Sequence, residues 1–335
     1  MSNQNLTVAV LVGGTSPERE VSKESSKAIA NAVTELGYKL KLIDPAYGTN
    51  QPKENDLFFA EENFTELINR NYVDAVNSDL FNDVDLAFIG LHGKNGEDGT
   101  IQSLLELRGV KYTGAKLLSS ALAMDKITSK ILFQHFDVQT PNWFVVTQKD
   151  TDYELIKTKI KKFFGYPCIV KSYDQGSTFG LTICRGDSEV EESIKLALKY
   201  STKALVEEYI PGREITVGVL GQQVLPVLEI KPKHGLYDYE CKYTDGMSEY
   251  IVPADIPQDV FSHLQQQTLL AYNAVNCSNY GRVDFRVNEK NETFCLEVNT
   301  LPGMTSHSLI PKMAKAVGIS FNELIDKIIK YELNG

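Results

Sequence analysis

Arg282-Val283-Asp284-Phe285-Arg286, followed by Leu296-Glu297-Val298-Asn299-Thr300-Leu301-Pro302-Gly303, decides the reading of the chain. Side chains alternate faces along a strand, so Arg282 and Asp284 share one face and Val283, Phe285 and Val287 the other. Glu297 and Asn299 likewise share a face, backed by Leu296 and Val298. If the two strands pair, Asp284, Glu297 and Asn299 converge beside an arginine. Two carboxylates and an amide suit Mg²⁺, which keeps waters and takes substrate phosphates as further ligands. An ordinary amphipathic hairpin with one wet face has the same alternation, so the rest of the chain has to discriminate.

The chain has 335 residues, enough for two or three compact lobes. Apolar content of 42% and charged content of 23% are those of a globular protein. A net charge of −10 argues against a nucleic-acid partner. No apolar run approaches the roughly 20 residues of a membrane helix, and Met1 to Thr7 has no signal-peptide character. The expectation is a cytoplasmic protein with no membrane partner. Its five cysteines, without CxxC spacing, read as buried thiols rather than as a zinc or disulfide framework.

Leu6 to Val12 reads as a buried strand broken by Gly13-Gly14. Ser22 to Leu36 has helical spacing with Gly37 as its stop, and Lys39–Ile43 and Asp85–Leu91 are further strands. This succession implies parallel strands with crossover helices. Asp44 to Asp83 is polar and aperiodic. A helix-rich passage, Leu117 to Phe136, leads into a second unit. That unit has strands at Trp143–Thr147, Cys168–Lys171, Leu181–Cys184 and Ala204–Glu208, and helices at Tyr153–Phe164 and Val190–Leu198. Pro211-Gly212 marks a boundary. Strands Ile215–Leu220 and Val224–Ile230 look antiparallel, and helices close the chain at about Ser308–Val317 and Phe321–Tyr331.

Other segments carry chemistry. Gly13 to Ser22 sits where a strand gives way to a helix, an edge that ligands favour; Glu18 and Glu20 there either face a ligand or complement the helix dipole. His92 to Gly99 holds three glycines in eight residues, with His92 and Glu97 as polar groups. Lys171 to Gly180 suits a flap over phosphates, with Lys171 and backbone N–H groups as donors, and Lys126 is a candidate second cation. Glu207 and Glu214 flank the boundary, placed to accept from an exocyclic amine and to bind a ribose diol. Tyr237 to Gly246, rich in tyrosine and charge, suits a lid. Ser308 fits an N-cap with Pro311 in the first turn, a helix end able to hold a carboxylate.

In this order the motifs resemble the D-alanine–D-alanine ligases of the ATP-grasp superfamily, from Val8 to the C-terminal helices. HGKNGEDGTIQS and GRVDF…LEVNTLPGMTSHSL are the most specific matches. The resemblance implies an α/β protein, α+β in its C-terminal part: an ATP-grasp fold preceded by an open parallel-sheet lobe. The expected lobes are 1–115 (first D-alanine site), 116–211 (central ATP-grasp lobe) and 212–335 (metal and second-substrate site). It implies ATP and two Mg²⁺ or Mn²⁺ ions, with Asp284, Glu297 and Asn299 as ligands. Lys126, Lys171 and Lys242 match phosphate contacts; Glu207 and Glu214 match adenine and ribose positions, and the backbone near Glu208 and Ile210 should face the base. Glu18 and His92 match the first amino-acid site. Arg282 and the Gly303 N–H match an oxyanion hole, and Ser308 and Leu309 the second carboxylate site. Ser177, Tyr243 and Glu18 match a hydrogen-bonded triad tying flap, lid and first lobe. A homodimer is the family's habit.

The sequence departs from the family pattern at Ser172, at Thr178-Phe179, and at Arg286, which by alternation shares a face with Asp284 and is expected to pair with an acid near the nucleotide. The expected activity is ATP-dependent joining of two D-alanines through an acylphosphate, for peptidoglycan precursor synthesis. The alternatives are a ligase with D-lactate, D-serine or another amino acid as second substrate, or a nucleotide or amino-acid sensor on a ligase scaffold. A Rossmann dehydrogenase fits worst, because no G-x-G-x-x-G follows a strand.

Overall fold

The structure, a computed structural model, describes residues 5–150, 152–177, 180–233, 241, 244, 246–305 and 308–334. The calls on Thr178, Phe179, Lys242 and Tyr243, and most of the lid segment, lie outside them. The first sheet has the order β2-β1-β3, from β1 (Thr7–Leu11), β2 (Lys39–Ile43) and β3 (Leu86–Ile89), all parallel. Helix α1 (Arg19–Glu35) makes the crossover, starting three residues before the sequence expectation, and ends at Leu36 with Gly37 at positive φ.

Between β2 and β3 lie a 3-10 turn at Pro45–Tyr47, another at Asn55–Phe58, helix α2 (Asn71–Asn77) and a turn at Asp79–Phe81. They are held by Tyr47, Phe58, Tyr72 and Phe81, all buried. The fully buried Asp44 pairs with Arg19 at 2.7 Å. Arg19 also donates to the Gly14 carbonyl at 2.6 Å and to the Tyr47 hydroxyl at 2.8 Å. Removing one partner of such a pair costs about 3–5 kcal/mol. This network therefore fixes the turn that carries Glu18.

The second sheet has the order β4-β7-β5-β6, from β4 (Trp143–Thr147), β5 (Cys168–Ser172), β6 (Thr182–Cys184) and β7 (Lys203–Glu208). It is antiparallel throughout, so α+β character begins in the central part. Helices α6 (Tyr153–Phe163) and α7 (Val190–Tyr200) close a core of their own with it. Helix α3 (Thr100–Arg108) follows β3, and the helical passage before the second sheet is two helices, α4 (Leu117–Met124) and α5 (Lys126–His135). They part at Asp125, whose carboxylate accepts from the Thr128 N–H at 2.9 Å and caps α5. Their apolar residues Ala123 and Phe133 pack not with the second sheet but with Val283, Phe285 and Val298 of the third.

The third sheet has the order β11-β10-β8-β12-β13, all antiparallel, with β9 on β8. Its strands are β8 (Arg213–Leu220), β9 (Gln223–Val224), β10 (Leu228–Pro232), β11 (Ser248–Ile251), β12 (Tyr280–Val287) and β13 (Thr293–Asn299). The single strand expected over 224–230 is broken between β9 and β10, where Pro226 supplies no N–H to a ladder. Helix α8 (Gln258–Ala274) covers one face. Helices α9 (Leu309–Ala316) and α10 (Phe321–Asn334) share one apolar core with the first sheet: Ile310, Met313, Ile325 and Ile328 lie in the cluster of Val8, Val10 and Phe88. Tyr38, at the end of the α1–β2 turn, donates to Asp326 on α10 at 2.8 Å across that junction. All five cysteines are buried free thiols.

The acidic hairpin pairs as expected, with Asp284 opposite Glu297 and Arg282 opposite Asn299. On β12 the alternation is strict: Val283, Phe285 and Val287 are buried, and Arg282, Asp284 and Arg286 partly open. On β13 it is not. Phe285 pairs with Cys295, so Leu296 is an extra residue between the pairs. This β-bulge re-aims the chain. Leu296 is only half-buried and does not back the acids alongside Val298, contrary to the simple alternation.

Candidate active site

A cleft of about 170 Å³ opens where the three sheets meet. Of the residues singled out in the sequence, Glu18, His92, Lys126, Ser177, Arg282, Glu297, Asn299, Gly303, Ser308 and Leu309 line it. They come from α1, the loop after β3, α5, the flap after β5, the hairpin, and the segment leading into α9. Tertiary structure has therefore gathered groups as far apart in sequence as Glu18 and Leu309. Lys171, Glu207, Glu208, Ile210, Glu214 and Asp284 are not among its walls; they run along β5, β7, the β7–β8 crossing and β12.

On the first-lobe side Ser177 of the flap donates a hydrogen bond to the Glu18 carboxylate. Gly93 makes room for that carboxylate: a Cβ there would stand 2.4 Å from Glu18 Oε2, and φ is +68°. His92 is buried, its Nδ1 3.0 Å from Glu97 Oε1 and its Nε2 3.1 Å from Ser25 Oγ. Burial opposes the imidazolium, but the Glu97 hydrogen bond and charge, with Glu18 behind them, raise its pKa above 6.5. Ser25 Oγ also accepts from the Met304 N–H at 3.3 Å, tying α1 to the segment that carries Gly303. Ser25 has no sequence signal, since a serine on a helix is common.

In the hairpin each acid has its own cation. Arg282 Nε and Nη2 meet the two Asp284 oxygens at 2.8 and 2.9 Å. Thr216 Oγ1 donates to Asp284 Oδ1 at 2.6 Å. Lys126 Nζ stands 3.0 Å from Glu297 and donates to the Gln175 carbonyl at 2.9 Å, joining hairpin to flap. Burial works against the Lys126 charge, but Glu297, aided by Glu207 and Glu97, more than offsets it and its pKa is raised. Lys126 is thus no solvated surface lysine. Asn299 Oδ1 accepts from the Leu301 N–H at 3.2 Å.

The metal question turns on these donors. Two carboxylates and an amide oxygen on adjacent strands are hard ligands, and the guanidinium and ammonium beside them neutralise the charge a cation would meet. The set fits a divalent ion of the Mg²⁺ type. Among the described residues no group of three His, Cys, Asp or Glu side chains could hold a metal alone. Oxygens from a substrate would have to complete the shell.

Glu207 sits between two lysines, with Lys130 Nζ 2.7 Å from Oε2 and Lys171 Nζ on Oε1. The expected acceptor for an exocyclic amine is therefore occupied by ammonium groups here. Lys130 was not singled out in the sequence. The Glu208 carboxylate turns to Asn142 Nδ2 at 2.7 Å, and its backbone N–H donates to the Asn142 carbonyl at 2.8 Å. Arg286 pairs with Glu214 at 3.3 Å, as alternation implied, and donates to the Ile210 and Gly212 carbonyls at 3.1 and 2.8 Å. Ser308 occupies the N-cap position of α9 but makes no side-chain cap bond. Its Oγ accepts from the Thr305 N–H at 2.9 Å instead. A Cβ on Gly303 would lie 2.9 Å from that Oγ. Lys242 and Tyr243 fall outside the described residues.

Two antiparallel sheets around such a cleft, preceded by a parallel-sheet lobe, define the ATP-grasp class of ligases. The family models described as the D-ala D-ala ligase N-terminus and C-terminus match residues 7–115 and 132–330. A D-alanine–D-alanine ligase of Syntrophotalea carbinolica is 39% identical over 97% of this chain and 96% of its own. Among solved structures, the D-alanine–D-alanine ligase of Bacillus anthracis complexed with ATP superposes with a TM-score of 0.78 at 29% identity, covering 98% of each chain. The VanG D-Ala:D-Ser ligase of Enterococcus faecalis gives 0.79 at 31% identity, over 98% of this chain and 100% of that one. The chain belongs to the D-alanine–D-alanine ligase family. Among the described residues no helix is long and apolar enough to cross a membrane.

Proposed function

We propose that this chain joins two D-alanines to D-alanyl-D-alanine with ATP, releasing ADP and phosphate, as a cytoplasmic step toward peptidoglycan precursors. The observation that carries the reading is the joining of Glu18, Ser177, Lys126, Glu297 and Arg282 around one cleft. Residues 1–115 hold the first D-alanine, 116–211 clasp the nucleotide, and 212–335 supply the metal ligands and the second site. A homodimer is the expected assembly.

The first D-alanine lies between Glu18, which takes its ammonium, and His92, with its carboxylate directed toward the γ-phosphate. Lys126, Lys171 and Lys242 neutralise the phosphates; positioning and charge supply most of the rate in phosphoryl transfer. Asp284, Glu297 and Asn299 would hold Mg²⁺ or Mn²⁺, two ions per site, which when bound offset the phosphate charge. The carboxylate attacks the γ-phosphorus and ADP departs, leaving an acylphosphate. The second D-alanine, its carboxylate at Ser308 and Leu309, attacks with its free amine. Arg282 and the Gly303 N–H stabilise the tetrahedral oxyanion, a contact worth roughly 3–4 kcal/mol per donor. Phosphate leaves and the dipeptide remains. Glu214 holds the ribose, and the backbone at Glu208 and Ile210 meets the adenine. Ser177, Tyr243 and Glu18 close the flap and lid, excluding water from the acylphosphate.

The test is ADP release with D-alanine against L-alanine, with the product identified by mass. Release dependent on D-alanine and yielding the dipeptide is expected; indifference to D-alanine overturns the reading. D-Serine belongs in the same panel, because a structural neighbour is a D-Ala:D-Ser ligase.

A further inference from the structure

Among the described residues Lys130 is the most deeply buried cation that the reaction does not use. Its side chain has 0% exposure, on a helix face turned into the protein. Lysines are almost never found so deep unless paired. Its Nζ is 2.7 Å from Glu207 Oε2 and donates to Thr140 Oγ1 at 2.6 Å. The other Glu207 oxygen takes Lys171. One carboxylate, itself 2% exposed, thus carries two ammonium groups. For stability alone one cation would suffice, and the second adds like-charge repulsion in a poorly screened place.

The two lysines differ in what else they can do. Lys130 is on α5, which packs into the core of the third sheet, and has Thr140 as a second partner. Lys171 is near the end of β5, where the flap begins, and its side chain keeps 10% exposure. We propose that Lys130 is a positioning residue for nucleotide selection: it is the permanent counter-ion of Glu207, so that Lys171 can leave for a phosphate and the vacated Glu207 oxygen can accept the exocyclic amine of adenine. Without Lys130, departure of Lys171 would strand a buried carboxylate, a state proteins avoid at high cost. Recognition of the base and neutralisation of the phosphates are thereby one exchange. The inference rests on the ligase reading in taking ATP as the nucleotide, Glu207 as the acceptor for the base and Lys171 as a phosphate contact.

The experiment measures ATP and ITP binding by calorimetry, without amino acid, for the wild type and Lys130→Met. ITP lacks the exocyclic amine. The wild type should prefer ATP, and Lys130→Met should reduce the ATP-to-ITP preference by about tenfold or more, the range for a hydrogen bond to a charged group. A merely structural role would weaken both nucleotides equally and leave the ratio unchanged, which overturns the proposal. So would a wild type indifferent to the amine, while leaving D-alanine-dependent ADP release, and hence the ligase reading, intact.

Folding of Lys130→Met is controlled by neutralising its partner. Melting temperatures are compared for Glu207→Gln with and without Lys130→Met. With no charge at 207 the counter-ion becomes dispensable, and the double variant should melt at the same temperature as Glu207→Gln or above it. A large further loss in the double variant shows Lys130 acting through packing alone and removes the proposal, even where the single variant fails to fold.

Discussion

Ser177 donates to the Glu18 carboxylate across 159 residues of sequence, a hydrogen bond that ties the flap to the first lobe. Ser177 has φ of +43°, so the turn is held in an uncommon conformation to present its hydroxyl. Ser177→Ala keeps the backbone and removes the donor. The expected result is a fall of about tenfold in kcat/KM for D-alanine, as for a lost charge-assisted hydrogen bond. Phosphate release at varied D-alanine measures it, and unchanged kinetics would remove this bond from the working form.

Glu297→Gln and Asp284→Asn keep the size of each side chain and remove its charge. D-Alanine-dependent ADP release should drop by at least about a hundredfold, as when a group stabilising transition-state charge is lost. Circular dichroism should show the fold retained. Turnover surviving either change would refute the metal assignment.

His92 gives a pH dependence with a definite sign. Its pKa is raised in the folded protein by Glu97, against the pull of burial. The stability this contributes is fully present below the ordinary pKa of 6.5 and is lost as pH rises through the raised value. Denaturant unfolding of the wild type and His92→Gln should therefore differ more at pH 6 than at pH 9. A gap that widens with pH would contradict the Glu97 pairing.

Arg286 braces the β7–β8 crossing through two carbonyls and Glu214. Arg286→Leu should raise KM for ATP by about tenfold through loss of a partly buried charged contact, with a smaller effect on kcat. If KM for ATP holds while that for D-alanine rises, Arg286 serves the wrong substrate for this reading.

Tyr243 lies outside the described residues, but its expected place in the triad can be tested. Tyr243→Phe should let D-lactate compete better as second substrate at neutral pH. Equal dipeptide-to-depsipeptide ratios in the two enzymes would count against the lid role.

Period-two alternation made β12 readable from Val283 to Val287, and with it the facing of Arg286 toward an acid, though not that the acid is Glu214, because a half-buried strand writes its geometry into composition. The bulge at Leu296 was not readable: it is a property of two strands in register, and nothing in one of them marks the extra residue. The split at Asp125 was hidden because capping aspartate and surface aspartate look alike on a continuous apolar period. Residues 44 to 83 gave no period, since short turns hang there on isolated anchors such as Tyr47 and Tyr72. The site divides the same way. Motifs marked Glu18, His92 and the hairpin acids, whereas Ser25, Thr216 and Lys130 are common residue types whose meaning comes only from what surrounds them.

The apolar interior of the first sheet continues into α9 and α10, while β4 to β7 with α6 and α7 enclose a separate one. Two ends of the chain are thus welded into a single anvil, and only the middle piece can swing without tearing greasy contacts apart. Entry of the nucleotide should accordingly be a motion of that small jaw about its two connections, residues 136–142 and 209–212, with the amino-acid floor staying still.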